Sequence, residues 1–76
     1  MIFNAIIEQD EHGYFAKIPE LEGCVSQGET YEEVLKNIKE ALELYIESLS
    51  QEEKQELLKR KVVAVTPLEV ELKVAN

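Results

Sequence analysis

Residues 10–42 decide the fold, and they read DEHGYFAKIPELEGCVSQGETYEEVLKNIKEAL. In the first half of this stretch, short apolar runs are separated by polar turns containing Gly or Pro, a pattern typical of antiparallel strands. In the second half, apolar residues recur every three or four positions, which is the spacing of a helix. The stretch therefore predicts a strand meander that leads directly into a helix.

Alternating residues extend the strand pattern to both sides of the hairpin and predict three strands, at 1–8, 14–18 and 24–27. A longer hairpin loop at 9–13 joins the first two strands. Pro19 ends the second strand, because proline has no amide hydrogen to donate to a ladder. Ile2 and Ile6 lie on the face of the first strand opposite its main apolar row, where they are expected to be exposed.

The helix is predicted over residues 31–48. Thr30 and Glu33 form a capping-box pattern, in which the hydroxyl accepts from a helix amide and the carboxylate accepts from the cap residue. Ser50 and Glu53 repeat this pattern. They predict either a second, shorter helix that ends in residues 59–61 and packs through residues 57 and 58, or a kinked continuation of the first helix.

The last segment returns to strand character, with apolar Leu68, Val70, Leu72 and Val74 alternating with charged residues. Residues 62–65 are either a further short strand or a connector. The prediction is a single α+β domain over residues 1–76 with the order βββααβ. An antiparallel sheet of three to four strands is packed by one long helix and a second short one.

The formal net charge is -8, from 16 Asp and Glu against 8 Lys and Arg. This charge argues against direct binding of nucleic acid, because phosphate recognition needs a basic surface. It favours a basic partner or simply confers solubility. Cys24 is the only cysteine, and there is no signal peptide or long apolar run, so we expect a cytoplasmic protein without a membrane segment.

No catalytic or metal-binding motif is present, and we expect neither an enzyme nor a cofactor. His12 is the only histidine, and a nucleophilic pair would require it to meet Cys24 from a different predicted element. Residual metal-dependent hydrolysis by the acidic loops is a weakly motivated alternative. A contact patch for a basic protein and ordinary solvated surface are two equal interpretations of those loops. The candidate contact residues are Asp10, Glu11, Glu20, Leu21, Glu22 and Glu29.

The ordered run of residues resembles the HicB antitoxin family over roughly residues 2–50. The matching positions are Gly13, Tyr14, Pro19, Leu21, Gly23, Gly28, Thr30, Glu33, Asn37, Glu40 and Ala41. The glycines lie where the chain must turn, and Thr30 lies at the helix start. Asn37 is a poor residue for a helix interior, so we expect its side chain to bond the backbone of a neighbouring loop.

The resemblance implies a HicB-like fold similar to a truncated RNase H, without nuclease activity. It implies an antitoxin of a type II pair that binds a small basic HicA-type ribonuclease and covers its active site. Many family members also carry a C-terminal DNA-binding module, which we do not expect here. The alternative is a stand-alone interaction module of the same fold, without a toxin partner, and in either case a homodimer or higher oligomer is expected.

Overall fold

Three antiparallel strands form the sheet of the computed structural model, which describes residues 1–75. The strands are β1 (Ile6–Asp10), β2 (Gly13–Lys17) and β3 (Val25–Gly28), in the spatial order β1-β2-β3. The predicted meander is confirmed, although β1 begins at Ile6 and not at Met1. Residue 76, the end of the predicted domain, lies outside the described residues.

The β1–β2 hairpin turns through only two residues, Glu11 and His12, since Asp10 is paired with Gly13. The predicted longer loop at 9–13 is therefore wrong. The amide of His12 donates to Oδ1 of Asp10 over 2.7 Å, which closes the turn from within. Gly13 has φ +137°, a conformation that residues with a Cβ rarely adopt.

The β2–β3 connection folds back tightly on itself and contributes to the core. The amide of Ile18 donates to the carbonyl of Cys24 over 3.0 Å, and the amide of Leu21 donates to the carbonyl of Ile18 over 3.0 Å. All three side chains are buried. Leu21 is only 5% exposed, so it supports the loop from inside, whereas the contact-patch interpretation required it at the surface.

Helix α1 spans Tyr31–Ser48, as predicted. The amide of Glu33 donates to Oγ1 of Thr30 over 3.1 Å, so the hydroxyl half of the predicted capping box is present. The carboxylate half, from the amide of Thr30 to Glu33, is not formed within residues 1–75. Helix α1 packs across β3 and β2, and its buried Val34 and Ile38 meet the buried side chains of the sheet and the connection.

Helix α2 spans Gln51–Leu58 and is a separate helix, not a continuation of α1, because Leu49 is extended. Its capping box is complete: Glu53 donates its amide to Ser50 Oγ, and the amide of Ser50 donates to Oε1 of Glu53. The helix ends before the basic residues that were predicted to terminate it. Leu57 packs against the core, but Leu58 is 69% exposed, so the prediction that both are core contacts is half wrong.

The predicted C-terminal strand is not formed. Residues 60–75 contain neither helix nor strand, and the alternating residues Leu68, Val70, Leu72 and Val74 are 79–90% exposed. The observed order is thus βββαα, an α+β fold, and the likeness to a truncated RNase H stays a prediction. Alternation predicts only that a segment suits a ladder, and a strand also needs an adjacent edge with which to pair.

Candidate functional site

The six residues predicted to contact a partner lie at opposite ends of the sheet. Pairing of Tyr14 with Gly28 brings the residue after β3, Glu29, beside the β1–β2 turn. Residues 20–22 follow the far end of β2. We call the first group, Asp10, Glu11 and Glu29, the hairpin end, and the second group, Glu20, Leu21 and Glu22, the loop end.

At the hairpin end, the carboxylates of Asp10 and Glu11 make local contacts. Asp10 accepts the amide of His12, and Oε1 of Glu11 lies 3.4 Å from Nε2 of His12. The side chains of Glu11 and His12 are both more than three-quarters exposed, so their contact contributes little to stability. A polar groove of about 610 Å³ runs from His12 past Glu29 to Glu33. The hairpin end is acidic, and little apolar surface accompanies its charges.

At the loop end, Glu20 joins the segment before β1 to the segment after α2 through hydrogen bonds. Its Oε1 accepts from Nδ2 of Asn4 over 2.9 Å and from the amide of Asn4 over 3.2 Å. Its carbonyl accepts from Nη1 of Arg60 over 3.3 Å. Desolvation by burial raises the pKa of Glu20, but hydrogen bonds from its own backbone and from Asn4, with the charge of Arg60, outweigh it and hold the pKa below the usual 4.5. Glu20 is therefore a structural carboxylate.

Helix α2 adds a second wall to the loop end and forms an open groove of about 650 Å³. Half-buried Tyr45, Leu49 and Leu57 line this groove. Its exposed carboxylates include Glu22, Glu52 and Glu56, whereas Lys59 and Arg60 are the basic residues that line it within the described part of the chain. We call this feature the loop-end groove.

Sequence reasoning missed the contribution of α2 to this groove. Its acidic run, QEEKQE at 51–56, was visible, but only the folding back of α2 toward the 20–22 loop places these charges beside Glu22. Glu53 in the same run serves the capping box, and hydrogen bonds from the backbone and side chain of Ser50 lower its pKa. Glu22 and Glu52 form no ion pair within residues 1–75, whereas Oε1 of Glu56 accepts from Nζ of Lys59 over 2.9 Å.

Two motif positions have a clear structural role. Nδ2 of Asn37 donates to the carbonyl of Gln27 over 2.8 Å, which confirms a backbone bond for Asn37, although its acceptor lies in β3 and not in a loop. Gly28 lies so close to α1 that a Cβ would stand 2.7 Å from the amide nitrogen of Val34. Both residues fasten the start of α1 to β3.

Catalytic pairing of Cys24 and His12 has no support in the geometry. Cys24 is 3% exposed, and burial raises the pKa of its thiol, which disfavours the nucleophilic thiolate. His12 lies in the exposed hairpin turn at the other end of the sheet. Within residues 1–75, no group of three or more His, Cys, Asp or Glu side chains could hold a metal ion. None of the helices in that range is long and apolar enough to cross a membrane.

Comparison with known proteins places these features in a family. The model of the HicB-like antitoxin of bacterial toxin–antitoxin systems matches residues 3–72. A UPF0150 protein of Helicobacter pylori is 54% identical over 70 residues, which are 92% of this chain and 96% of that protein. UPF0150 proteins of Archaeoglobus fulgidus and Thermotoga maritima are 41% and 39% identical, over 86% and 92% of this chain and 96% and 91% of theirs.

No solved structure matches the chain. The family match nevertheless covers nearly the whole chain, including the residues that fasten α1 to β3 and those that build the loop-end groove. The chain belongs to the HicB-like antitoxin family of bacterial toxin–antitoxin systems.

Proposed function

We propose that this protein neutralises a small basic HicA-type ribonuclease by binding it and covering its active site. Family membership supports an antitoxin role in general. The net charge of -8 supports a basic partner, because an RNA-cleaving surface must itself be positive to bind its substrate. In this proposal the protein acts by binding and not by catalysis, in the cytoplasm where messenger RNA is cleaved.

The observation that carries the proposal is the loop-end groove. Protein interfaces combine a central apolar area with a polar rim. This groove combines half-buried apolar side chains with exposed carboxylates in one lining. We therefore infer that the toxin contacts Glu22, Glu52 and Glu56. Glu20 is held by Asn4, and it would shape the groove without contacting the toxin.

The hairpin end is the rival contact surface, with Asp10, Glu11 and Glu29 as the residues concerned. It offers the same number of carboxylates, but its groove is mainly polar, whereas half-buried apolar side chains line the loop-end groove. The two surfaces lie at opposite ends of the sheet and can be tested separately.

The test compares two triple charge reversals that change the net charge equally. Glu22, Glu52 and Glu56 are changed to Lys in one variant, and Asp10, Glu11 and Glu29 in the other. Each is co-expressed with the candidate toxin, a small basic protein to be sought in the neighbouring gene, and growth rescue and the Kd of the purified complex are measured. Loss of two or three contacts of about 1.4 kcal/mol each would weaken binding by roughly 100- to 1000-fold.

We expect that loss in the loop-end variant, together with failure of growth rescue. Circular dichroism must show both variants folded. A loss confined to the hairpin-end variant would move the interface to the rival surface. Absence of a complex with the unaltered chain would sink the toxin proposal itself.

An interaction module without a toxin is the second candidate. The observation favouring it is a group of apolar side chains on the sheet face that α1 leaves open, Ile6, Phe15 and Val25, which surround Lys17. These side chains are 43%, 37% and 63% exposed. Exposed apolar side chains grouped on one face are typical of a surface that is covered in an assembly. Ile2, expected on this face, is 85% exposed in the irregular segment before β1.

A further inference from the structure

The C-terminal arm, residues 62–75, has the sequence of a strand but no partner in its own chain. Leu68, Val70, Leu72 and Val74 are 90%, 85%, 85% and 79% exposed. No backbone hydrogen bond outside the regular elements involves this segment within residues 1–75. A regular apolar row of this kind is unfavourable in water and is normally covered.

The arm also changes the dimensions of the chain. The radius of gyration is 15.2 Å, and the long axis measures 51 Å against 28 and 18 Å for the others. A compact chain of this length would have a radius of gyration of about 11 Å. The arm therefore projects from the body and does not lie along its own sheet.

The root of the arm is anchored. Arg60 donates to the carbonyl of Glu20, and Lys61 and Val62 line a groove together with Met1 and Ile2. The arm consequently leaves the body near the start of the chain, close to the segment that leads into β1. It is the part beyond this root that lacks any partner.

The outer edge of β1 is free to pair with a further strand, such as the arm. At β3, α1 packs closely and the carbonyl of Gln27 accepts from Asn37, so that edge is partly covered. At β1, no backbone bond other than those of the β1–β2 ladder is formed within the described part of the chain. Helix α1 lies over β3 and β2, so the helix side of β1 is less covered and Ile7 is only half-buried.

We propose that the arm of one copy, residues 67–74, pairs as a strand with the free edge of β1 in a second copy, and that the exchange is reciprocal. Every copy has one unpaired arm and one free β1 edge. When each arm pairs with the β1 edge of the other copy, no arm and no β1 edge is left over, and the dimer is closed. The apolar row of each arm would then extend the covered side of the partner's sheet. This inference does not depend on toxin binding.

The experiment measures the mass of the full chain by light scattering and sedimentation over a range of concentrations and salt. We expect twice the chain mass of 8.7 kDa. Because each copy carries a charge of -8, the dimer should tighten as salt is added. The toxin complex, held by opposite charges, should instead weaken with salt, so the two proposals fail independently.

The decisive variant changes Val70 and Leu72 to Lys, and its matched control changes Glu69 and Glu71 to Lys on the other side of the same segment. We expect a folded monomer for the first and a dimer for the second. Hydrogen exchange should show the amides of the β1 edge protected in the dimer and exposed in the monomeric variant.

Three results would overturn the proposal. The first is an unaltered chain that stays a monomer at all concentrations, whether its arm is free or pairs with β1 of the same copy. The dimer could persist unchanged when Val70 and Leu72 are replaced. Isotope-filtered contacts in a mixed-label dimer could join the arm to something other than β1 of the other copy.

Discussion

Substitution of Gly28 tests how closely β3 approaches the start of α1. A Cβ at this position would stand 2.7 Å from the amide nitrogen of Val34 and 3.1 Å from the carbonyl carbon of Glu33. Both atoms belong to the helix backbone, so no flexible side chain can move aside. The first turn of α1 would have to shift away from the sheet, and with it Val34, whose side chain is fully buried.

The magnitude follows from the cost of overpacking a core. Such insertions typically cost about 1–3 kcal/mol. A chain of this length has a total free energy of unfolding of about 4–11 kcal/mol, so Gly28→Ala should remove a large share of it. With a urea slope of about 1 kcal/mol per molar for a small domain, the midpoint of unfolding should fall by about 1–3 M.

The assay is urea unfolding followed by circular dichroism. Gly28→Val, which adds two methyl groups at the same point, should be less stable than Gly28→Ala. The matched control is Gln27→Ala in the same strand, which leaves the carbonyl that Asn37 bonds in place and should change stability by less than about 0.5 kcal/mol. If Gly28→Ala is as stable as this control, or Gly28→Val is no worse than Gly28→Ala, the close approach of β3 to α1 is refuted.

Two further predictions concern hydrogen bonds that join distant parts of the chain. Asn37→Ala removes the donor to the carbonyl of Gln27 and should destabilise the fold by about 0.5–1.5 kcal/mol in the same assay, and an unchanged midpoint would show that the bond contributes nothing. Glu20→Gln should be less stable than the unaltered chain at neutral pH, because a lowered pKa means that the charged carboxylate stabilises the fold above its ordinary value of 4.5. That contribution is lost as the pH falls through the folded pKa, so the difference between the two proteins should disappear in acid, and a difference independent of pH would contradict the role given to the carboxylate.

Local sequence signals determined the elements whose stabilising contacts are themselves local. The bounds of α1 follow from the Thr30 cap and the helical spacing of apolar residues, and the separate helix α2 follows from the Ser50 capping box. The meander follows from alternation and turn residues. In each case the deciding interactions join residues within a few positions of one another, so they can be read along the chain.

Contacts between distant residues decided the rest. Leu21 is flanked by two glutamates, yet the bonds of the β2–β3 connection turn it into the core. The predicted contact residues separate because strand register sends Glu29 to the hairpin and the loop glutamates to the other end, where α2 completes a groove around Glu22.

The C-terminal arm shows most plainly the difference between what local sequence signals determine and what contacts between distant residues decide. By itself the sequence determined that residues 68–74 suit a strand, that α1 begins after Thr30, and that the chain carries a charge of -8. Only the tertiary structure decided that the arm projects unpaired from a body whose sheet has a free edge, because alternation is a property of the segment and pairing is a property of its surroundings.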